Sequence, residues 1–200
     1  MELKNKNGLT ESEFLKQYDP ERYKRPSVTA DVAIFTRENT SVKLLLIKRG
    51  NHPFLGQYAL PGGFVELFED IEKAALRELY EETNIKGVTL TQIGAYGDAN
   101  RDPRTHIVTI LYAAALEKIE AKAGDDAAEA RLFKLNVEKR PDGSFYIKLH
   151  SENTELSARL KRSDESGAHK TIVVENNGIC SDHAALIFDA YMAMKPMLFN

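Results

Sequence analysis

The chain has 200 residues, 42% of them apolar and 28% charged, with a formal net charge of −3. That balance suits a folded globular domain with its own core and excludes a disordered or fibrous chain. It offers no broad basic field, so nucleic acid is not the expected partner, and no apolar run approaches the ~18 residues of a membrane span. The sole cysteine, Cys180, cannot form an internal disulfide and suits a reducing compartment. With no basic-then-apolar leader, a cytoplasmic protein is expected.

Residues 1–24 read as an N-terminal extension. Thr10-Glu11-Ser12-Glu13 forms a capping box that opens a short helix to Tyr18, with Phe14, Leu15 and Tyr18 on its apolar side; Asp19-Pro20 stops it. Val28 to Thr36 and Val42 to Arg49 are rich in β-branched and apolar residues, which predicts two strands joined as a hairpin across the polar turn Arg37 to Ser41. Lys48 to Tyr58 is a loop by its glycine and proline content.

Next comes LPGGFVELFEDIEKAALRELYEETNI, Leu60 to Ile85. Gly62 and Gly63 open a tight turn, Glu66 and Glu69 follow, and a helical segment presents Arg77, Glu78, Glu81 and Glu82. At about 100° per residue, Glu78, Glu81 and Glu82 share one face, while Ala75, Leu76, Leu79 and Tyr80 fall on another. Such an acid cluster also reads as a solvated helix face. Three carboxylates this close repel one another, however, and core packing does not require them together. A hard, oxygen-seeking cation such as Mg²⁺ relieves that repulsion.

Beyond the helix, Val88 to Tyr96 and His106 to Leu116 read as strands, joined by a polar connection, Gly97 to Thr105, suited to ligand contacts. Ala121 to Ala130 is acidic and loop-like, and Glu129 to Leu135 reads as a short strand. Ser144 to His150, Thr154 to Lys161 and Lys170 to Glu175 alternate with turn residues, which predicts a three-stranded antiparallel meander. Ser181-Asp182-His183 introduces a helix from about Ala184 to Met194, with Leu186, Ile187, Ala190 and Met194 buried and Pro196 just past its end.

The spacing Gly63, five residues, Glu69, seven residues, Arg77-Glu78-Leu79, one residue, Glu81-Glu82, one residue, Asn84-Ile85 resembles the Nudix box, G-x5-E-x7-R-E-U-x-E-E-x-G-U with U aliphatic. The departure is Asn84 in place of glycine, and asparagine is the residue after glycine that best tolerates a left-handed helix C-cap. RPSVTADVAIF, LLLIKRGNHPFLGQYALPGGFVE, GDANRDPRTHIVTILYAA, DDAAEARLFKL and SDHAALIFDAYMAM resemble the ADP-ribose pyrophosphatase-like branch of that family. The resemblance covers roughly residues 25–136 and 180–195.

The resemblance implies an α+β fold, a mixed β-sheet sandwiched between helices. It suggests a single domain over residues 25–200, with a β-meander inserted at about 137–178 and a C-terminal helix at about 181–195. It also implies a Mg²⁺-dependent hydrolase, with Mn²⁺ an alternative, in which water attacks a phosphorus of a pyrophosphate. Glu78, Glu81, Glu82 and a carbonyl at Gly63 would hold the metal; Arg77 would orient the carboxylates and Glu69 would brace the loop against it. The base that completes water activation is Glu81 or Glu82 in the box, or Asp125, Asp126 or Glu129 on the acidic loop.

Arg49, Arg101 and Arg104 are candidates for phosphate or a terminal ribose, because guanidinium forks suit phosphate oxygens, although each also reads as a surface arginine. His52, His106 and His183 are assigned no catalytic role. The expected substrate is ADP-ribose, cleaved to AMP and ribose 5-phosphate. Oxidised nucleoside triphosphates, dinucleoside polyphosphates and a nicotinamide dinucleotide are alternatives, and a ligand-sensing transcriptional regulator is the non-enzymatic one. A homodimer formed through the N-terminal segment or the meander is expected.

Overall fold

Two apolar runs, Val32 to Phe35 and Leu44 to Ile47, lie at the centre of a sheet covered on both faces, which is why neither alternates with polar residues. The computed structural model describes residues 2–119, 127–163 and 170–199. Its helices are α1 (Glu11–Gln17), α2 (Ile71–Thr83) and α3 (His183–Phe199). Its strands are β1 (Ser27–Glu38), β2 (Ser41–Arg49), β3 (Tyr58–Ala59), β4 (Gly62–Phe64), β5 (Thr91–Tyr96), β6 (Ile107–Leu116), β7 (Ala127–Lys139), β8 (Phe145–Ser151), β9 (Thr154–Ser163) and β10 (Lys170–Asn177).

All ten strands join one mixed sheet in the order β10-β9-β8-β7-β2-β1-β6-β5, with β3 paired to β2 and β4 to β1. Among the described strands, β1 and β6 form the parallel pair, and Tyr58 of β3 makes an isolated parallel bridge to Ile179. β1 pairs with β2 from Phe35 to Glu38, leaving its first half free to pair antiparallel with β4. The glycine turn expected as plain loop is therefore a short strand locked to the centre of the sheet. This is an α+β architecture, with helices on both faces of a mixed sheet.

The period-2 alternation of β1 sorts its side chains. Ala30, Val32 and Ile34 pack with Ala75 and Leu79 of α2. Ala33 and Phe35 turn the other way, towards Leu186, Ile187 and Phe188 of α3. Helix α3 touches β1, β5, β6, β9 and β10, so the sheet curls around it. Phe145 of β8 meets Phe188 at 4.7 Å between ring centroids. The expected meander is present as β8, β9 and β10, and it extends the same sheet through β7.

Four of the boundaries that differ from expectation have identifiable reasons. The turn between β1 and β2 shrinks to Asn39-Thr40, because Asn39 adopts φ 54°. β7 begins at Ala127, since β2 offers ladder partners to Ala127, Glu129 and Ala130. β5 begins only at Thr91, where pairing with β6 starts. Helix α3 passes through Pro196, which lacks an N–H, to Phe199. The last turn is held by tertiary contacts: Leu198 is buried, the Arg37 Nη1–H donates to its carbonyl at 3.0 Å, and that guanidinium lies 5.4 Å over the Phe199 ring.

The capping box of α1 forms as expected, with the Glu13 N–H donating to Thr10 Oγ1 at 3.3 Å and the Thr10 N–H to Glu13 Oε2 at 2.8 Å. None of its residues is buried. Among the described residues, no helix is long and apolar enough to cross a membrane.

Candidate active site

Helix α2 carries the acid cluster, and its two ends fix where that cluster points. It starts after Asp70 and stops at Asn84, whose left-handed backbone (φ 59°, ψ 15°) donates its N–H to Tyr80 O at 2.7 Å. Asn84 therefore performs the capping turn for which the glycine position exists. Ala74, Ala75, Leu79 and Thr83 are the buried positions. Tyr80, expected on the apolar side, is exposed with the Lys86 ammonium 4.7 Å over its ring, because Thr83 takes the inward place and bonds Leu79 O.

Arg77 organises the opposite side. Its Nε–H and Nη2–H fork onto Glu69 Oε1 and Oε2, each at 2.9 Å. Its Nη1–H reaches Glu78 Oε1 at 2.8 Å and Glu81 Oε2 at 3.0 Å, and Nη2–H also donates to Phe64 O at 3.0 Å. One guanidinium thus ties the helix, the preceding loop and β4 together. Glu69 further accepts the Glu66 N–H at 3.0 Å. The Arg77 fork holds the Glu69 carboxyl down at about 2, and the same bonds hold Arg77 above its ordinary value.

The glycine pair is explained by close approach. A Cβ on Gly63 would lie 2.5 Å from the Glu78 carboxylate. A Cβ on Gly62 would lie 2.3 Å from Ala30 O and 2.6 Å from Asp31 Oδ1. The Gly62 N–H donates to Glu82 Oε2 at 2.9 Å. Burial raises the Glu78 carboxyl. Glu82 is pushed up to about 8, by burial first and then by the nearby charges of Glu78 and Asp31, against the Gly62 bond.

Among the described residues, no group of three or more His, Cys, Asp or Glu side chains is arranged to hold a metal ion. Arg77 occupies Glu78 and Glu81 instead. The donor chemistry nonetheless fits a hard divalent cation: Glu78 and Glu82 stand one helical turn apart, both are desolvated carboxylates that need a positive charge to ionise cheaply, and the bare Gly63 lets the Glu78 carboxylate lie directly against the loop backbone.

On the other face of the glycine turn lies a cavity of about 200 Å³, lined by Thr29, Asp31, Arg49, Arg101, Arg104 and Thr109 among others. Asp31, a buried carboxylate in β1, accepts the Thr109 hydroxyl at 2.8 Å, and Thr109 also meets Thr29. The Arg101 side chain is only 7% exposed and is committed, forking onto Asp182 at 2.9 Å per bond and reaching Thr109 at 3.2 Å. Arg104 forks onto Asp102 at 3.0 and 2.9 Å, and its guanidinium lies 5.3 Å over the Phe64 ring. Arg49 donates from Nε to Pro53 O at 2.9 Å. His183 accepts the Leu60 N–H at Nδ1 (3.1 Å), and burial lowers its pKa, so it is a neutral structural acceptor.

Glu69, Arg77, Glu78 and Glu81 are thus joined directly, and Glu82 is joined through Gly62. Glu129 stands apart, paired with Arg131 and accepting from Tyr58 Oη at 3.3 Å. Asp125 and Asp126 lie outside the described residues. Asp31, Thr109 and Phe64 were not singled out from the sequence, and Asp182 reads there as part of the start of the last helix. For Asp31 a signal existed, a lone carboxylate within TADVAIF.

A family model described as NUDIX domain matches residues 25–149. The chain is 43% identical over 126 residues to an ADP-ribose pyrophosphatase of Methanocaldococcus jannaschii, covering 62% of this chain and 72% of that protein. It is 43% identical over 108 residues to the ADPR responsive transcriptional repressor NtrR of Acinetobacter baylyi, covering 53% of this chain and 43% of the repressor. Among solved structures, a MutT/nudix family protein from Enterococcus faecalis superposes with a TM-score of 0.75 at 30% identity, over 94% of this chain and 70% of that one. The NUDIX domain of Shewanella oneidensis NrtR complexed with ADP ribose gives 0.58 at 34% identity, over 62% and 82%.

Proposed function

This chain belongs to the Nudix family, and from that premise we propose that it hydrolyses ADP-ribose to AMP and ribose 5-phosphate, using Mg²⁺ or, in its place, Mn²⁺. That the chain is a Nudix hydrolase, and that such hydrolases generally use divalent metal ions, follows from the family itself. The observation that carries the reading is the pair of desolvated carboxylates, Glu78 and Glu82, pressed against Gly62 and Gly63. The choice of ADP-ribose is supported by the M. jannaschii relative and by the ADP-ribose complex of the S. oneidensis domain.

Glu78 and Glu82 would hold the cation beside the Gly63 backbone. When bound, such an ion neutralises phosphoryl charge and makes water more acidic. Arg77 keeps Glu78 and Glu81 oriented while its fork on Glu69 stops it from swinging into the substrate. Glu81 is the more exposed acid, with 49% of its side-chain surface accessible against 16% for Glu78, and we assign it as acceptor of the water proton. Glu129 is paired with Arg131 and accepts from Tyr58 Oη. Arg49 would reach phosphate oxygens from the cavity wall, Arg104 lines the same wall against the Phe64 ring, and Arg101 acts through Asp182 by fixing the start of α3.

The regulator alternative would be favoured by a DNA-reading helix pair among residues 136–200 of this chain. Residues 145–151, 154–163 and 170–177 are instead three strands of the sheet that carries the site. A cytoplasmic setting is supported by the free, buried Cys180, whose thiol burial pushes up to about 12. A homodimer is supported by the exposed apolar side of α1, Phe14, Leu15 and Tyr18; sedimentation at micromolar concentration giving a monomer mass would remove that part.

The test is a comparison of kcat/KM with Mg²⁺ across ADP-ribose, an oxidised nucleoside triphosphate, a dinucleoside polyphosphate and a nicotinamide dinucleotide. ADP-ribose is expected to rank first. A higher value for another member transfers the assignment to that substrate, and turnover of none overturns the enzymatic reading.

A further inference from the structure

The register of β4 on β1 places side chains on two faces of the glycine turn. Asp31 stands opposite Gly62 and Thr29 opposite Phe64, so these four positions share one face, while Gly63 and Ala30 share the other. Gly63 therefore looks towards Glu78 on α2. Phe64 looks into the cavity that it lines together with Thr29 and Asp31. A strand position one residue beyond a glycine pair, beside the carboxylate cluster, is an unusual place to leave a phenyl ring nearly half exposed, at 45% of its surface. Its backbone is nevertheless fixed, because its carbonyl accepts the Arg77 Nη2–H at 3.0 Å.

Arg104 completes the feature. Its guanidinium lies 5.3 Å over the Phe64 ring and is held flat by the two-bond fork onto Asp102, itself locked by the Arg104 N–H at 2.9 Å. The result is a layered pair, guanidinium over phenyl, still 43% and 45% exposed, on the rim of a cavity with further positive charge from Arg49. Flat, electron-rich heterocycles stack on aromatic rings and on guanidinium planes. The Arg77 bond to the Phe64 carbonyl also sets the distance between this surface and the box to a single residue's backbone.

We propose that Phe64 and Arg104 form the platform on which the nucleobase end of the substrate stacks, making them specificity-determining residues for the reaction. The inference rests on the reading of this site as a nucleotide-diphosphate hydrolase. Stacking there holds the base while the adjoining diphosphate meets Gly62, Gly63 and the box acids. The recognition is of a planar base as such, since every base has a π-face.

The experiment measures direct binding by calorimetry, without turnover, of AMP and of ribose 5-phosphate, which carries a phosphate and sugar but no base. Wild-type, Phe64→Ala, Phe64→Trp and Arg104→Gln proteins are compared. Phe64→Ala is expected to weaken AMP on the order of 5- to 150-fold and ribose 5-phosphate less than about twofold. Phe64→Trp should restore AMP affinity, and Arg104→Gln should weaken AMP more than ribose 5-phosphate. An equal loss for both ligands in Phe64→Ala, no loss for either, or failure of tryptophan to restore AMP binding overturns the platform. Because binding is read separately from hydrolysis, an inactive protein that still shows the AMP-specific loss would refute the hydrolase reading and leave the platform standing.

Discussion

Replacing Glu82 with glutamine tests the electrostatics of the site in the metal-free protein. Glutamine is isosteric with the protonated acid and can still accept the Gly62 N–H, so the substitution removes titration and little else. In the native chain Glu82 sits at about 8, against an ordinary value of 4.5. Below the ordinary value, native and unfolded chains are both protonated and no penalty exists. Between the two values the unfolded chain releases its proton while the native chain retains it, so stability is lost as pH rises; above about 8 the loss is complete. At about 1.36 kcal/mol per pH unit the ceiling is roughly 5 kcal/mol, and local relaxation reduces it to about 2–3.

The assay is urea unfolding of chelator-treated wild type and Glu82→Gln at steps from pH 5 to pH 9. Relative to the variant, wild type is expected to lose about 2–3 kcal/mol between pH 5 and pH 8, and saturating Mg²⁺ should flatten the slope. Parallel pH profiles for the two proteins would refute the buried-carboxylate reasoning.

Other substitutions probe the remaining parts. Arg77→Lys cannot reproduce the bonds to Glu69, Glu78, Glu81 and Phe64 and should lower kcat roughly 10- to 100-fold, with Mg²⁺ titrations showing weaker activation. Gly63→Ala places a methyl 2.5 Å from the Glu78 carboxylate, so Mg²⁺ affinity by calorimetry should fall at least tenfold while thermal unfolding shows a cost of about 1–3 kcal/mol. Phe188→Ala empties a buried site against Phe145 and should cost about 3–5 kcal/mol in urea unfolding, with kcat of the folded fraction unchanged.

What was legible in the chain follows from which interactions are local. The Arg77 pairings within α2, the Asn84 cap and the Thr10–Glu13 box depend on residues at most a few positions apart, and they form as the spacing implies. The fork from Arg77 to Glu69 was recognisable through the Nudix spacing. Asp31 meets Thr109 across 78 positions and Arg101 meets Asp182 across 81, and only because β1 and β6 run parallel beside the start of α3. No periodicity announces such a network. The passage of α3 through Pro196 was hidden for a similar reason, since the anchor on Leu198 comes from Arg37 in β1. Nor did alternation alone reveal that β8 to β10 would extend the main sheet around α3, which depends on β7 pairing with β2 on one side and β8 on the other.

The central claim concerns chemistry at Glu78 and Glu82, and turnover of ADP-ribose with Mg²⁺ by wild type and Glu82→Gln side by side tests it most directly. Chromatographic detection of AMP and ribose 5-phosphate in equal amounts, with kcat reduced at least 100-fold in the variant and Mg²⁺ required, is the predicted result. Equal rates in the two proteins, or products other than this pair, would contradict it.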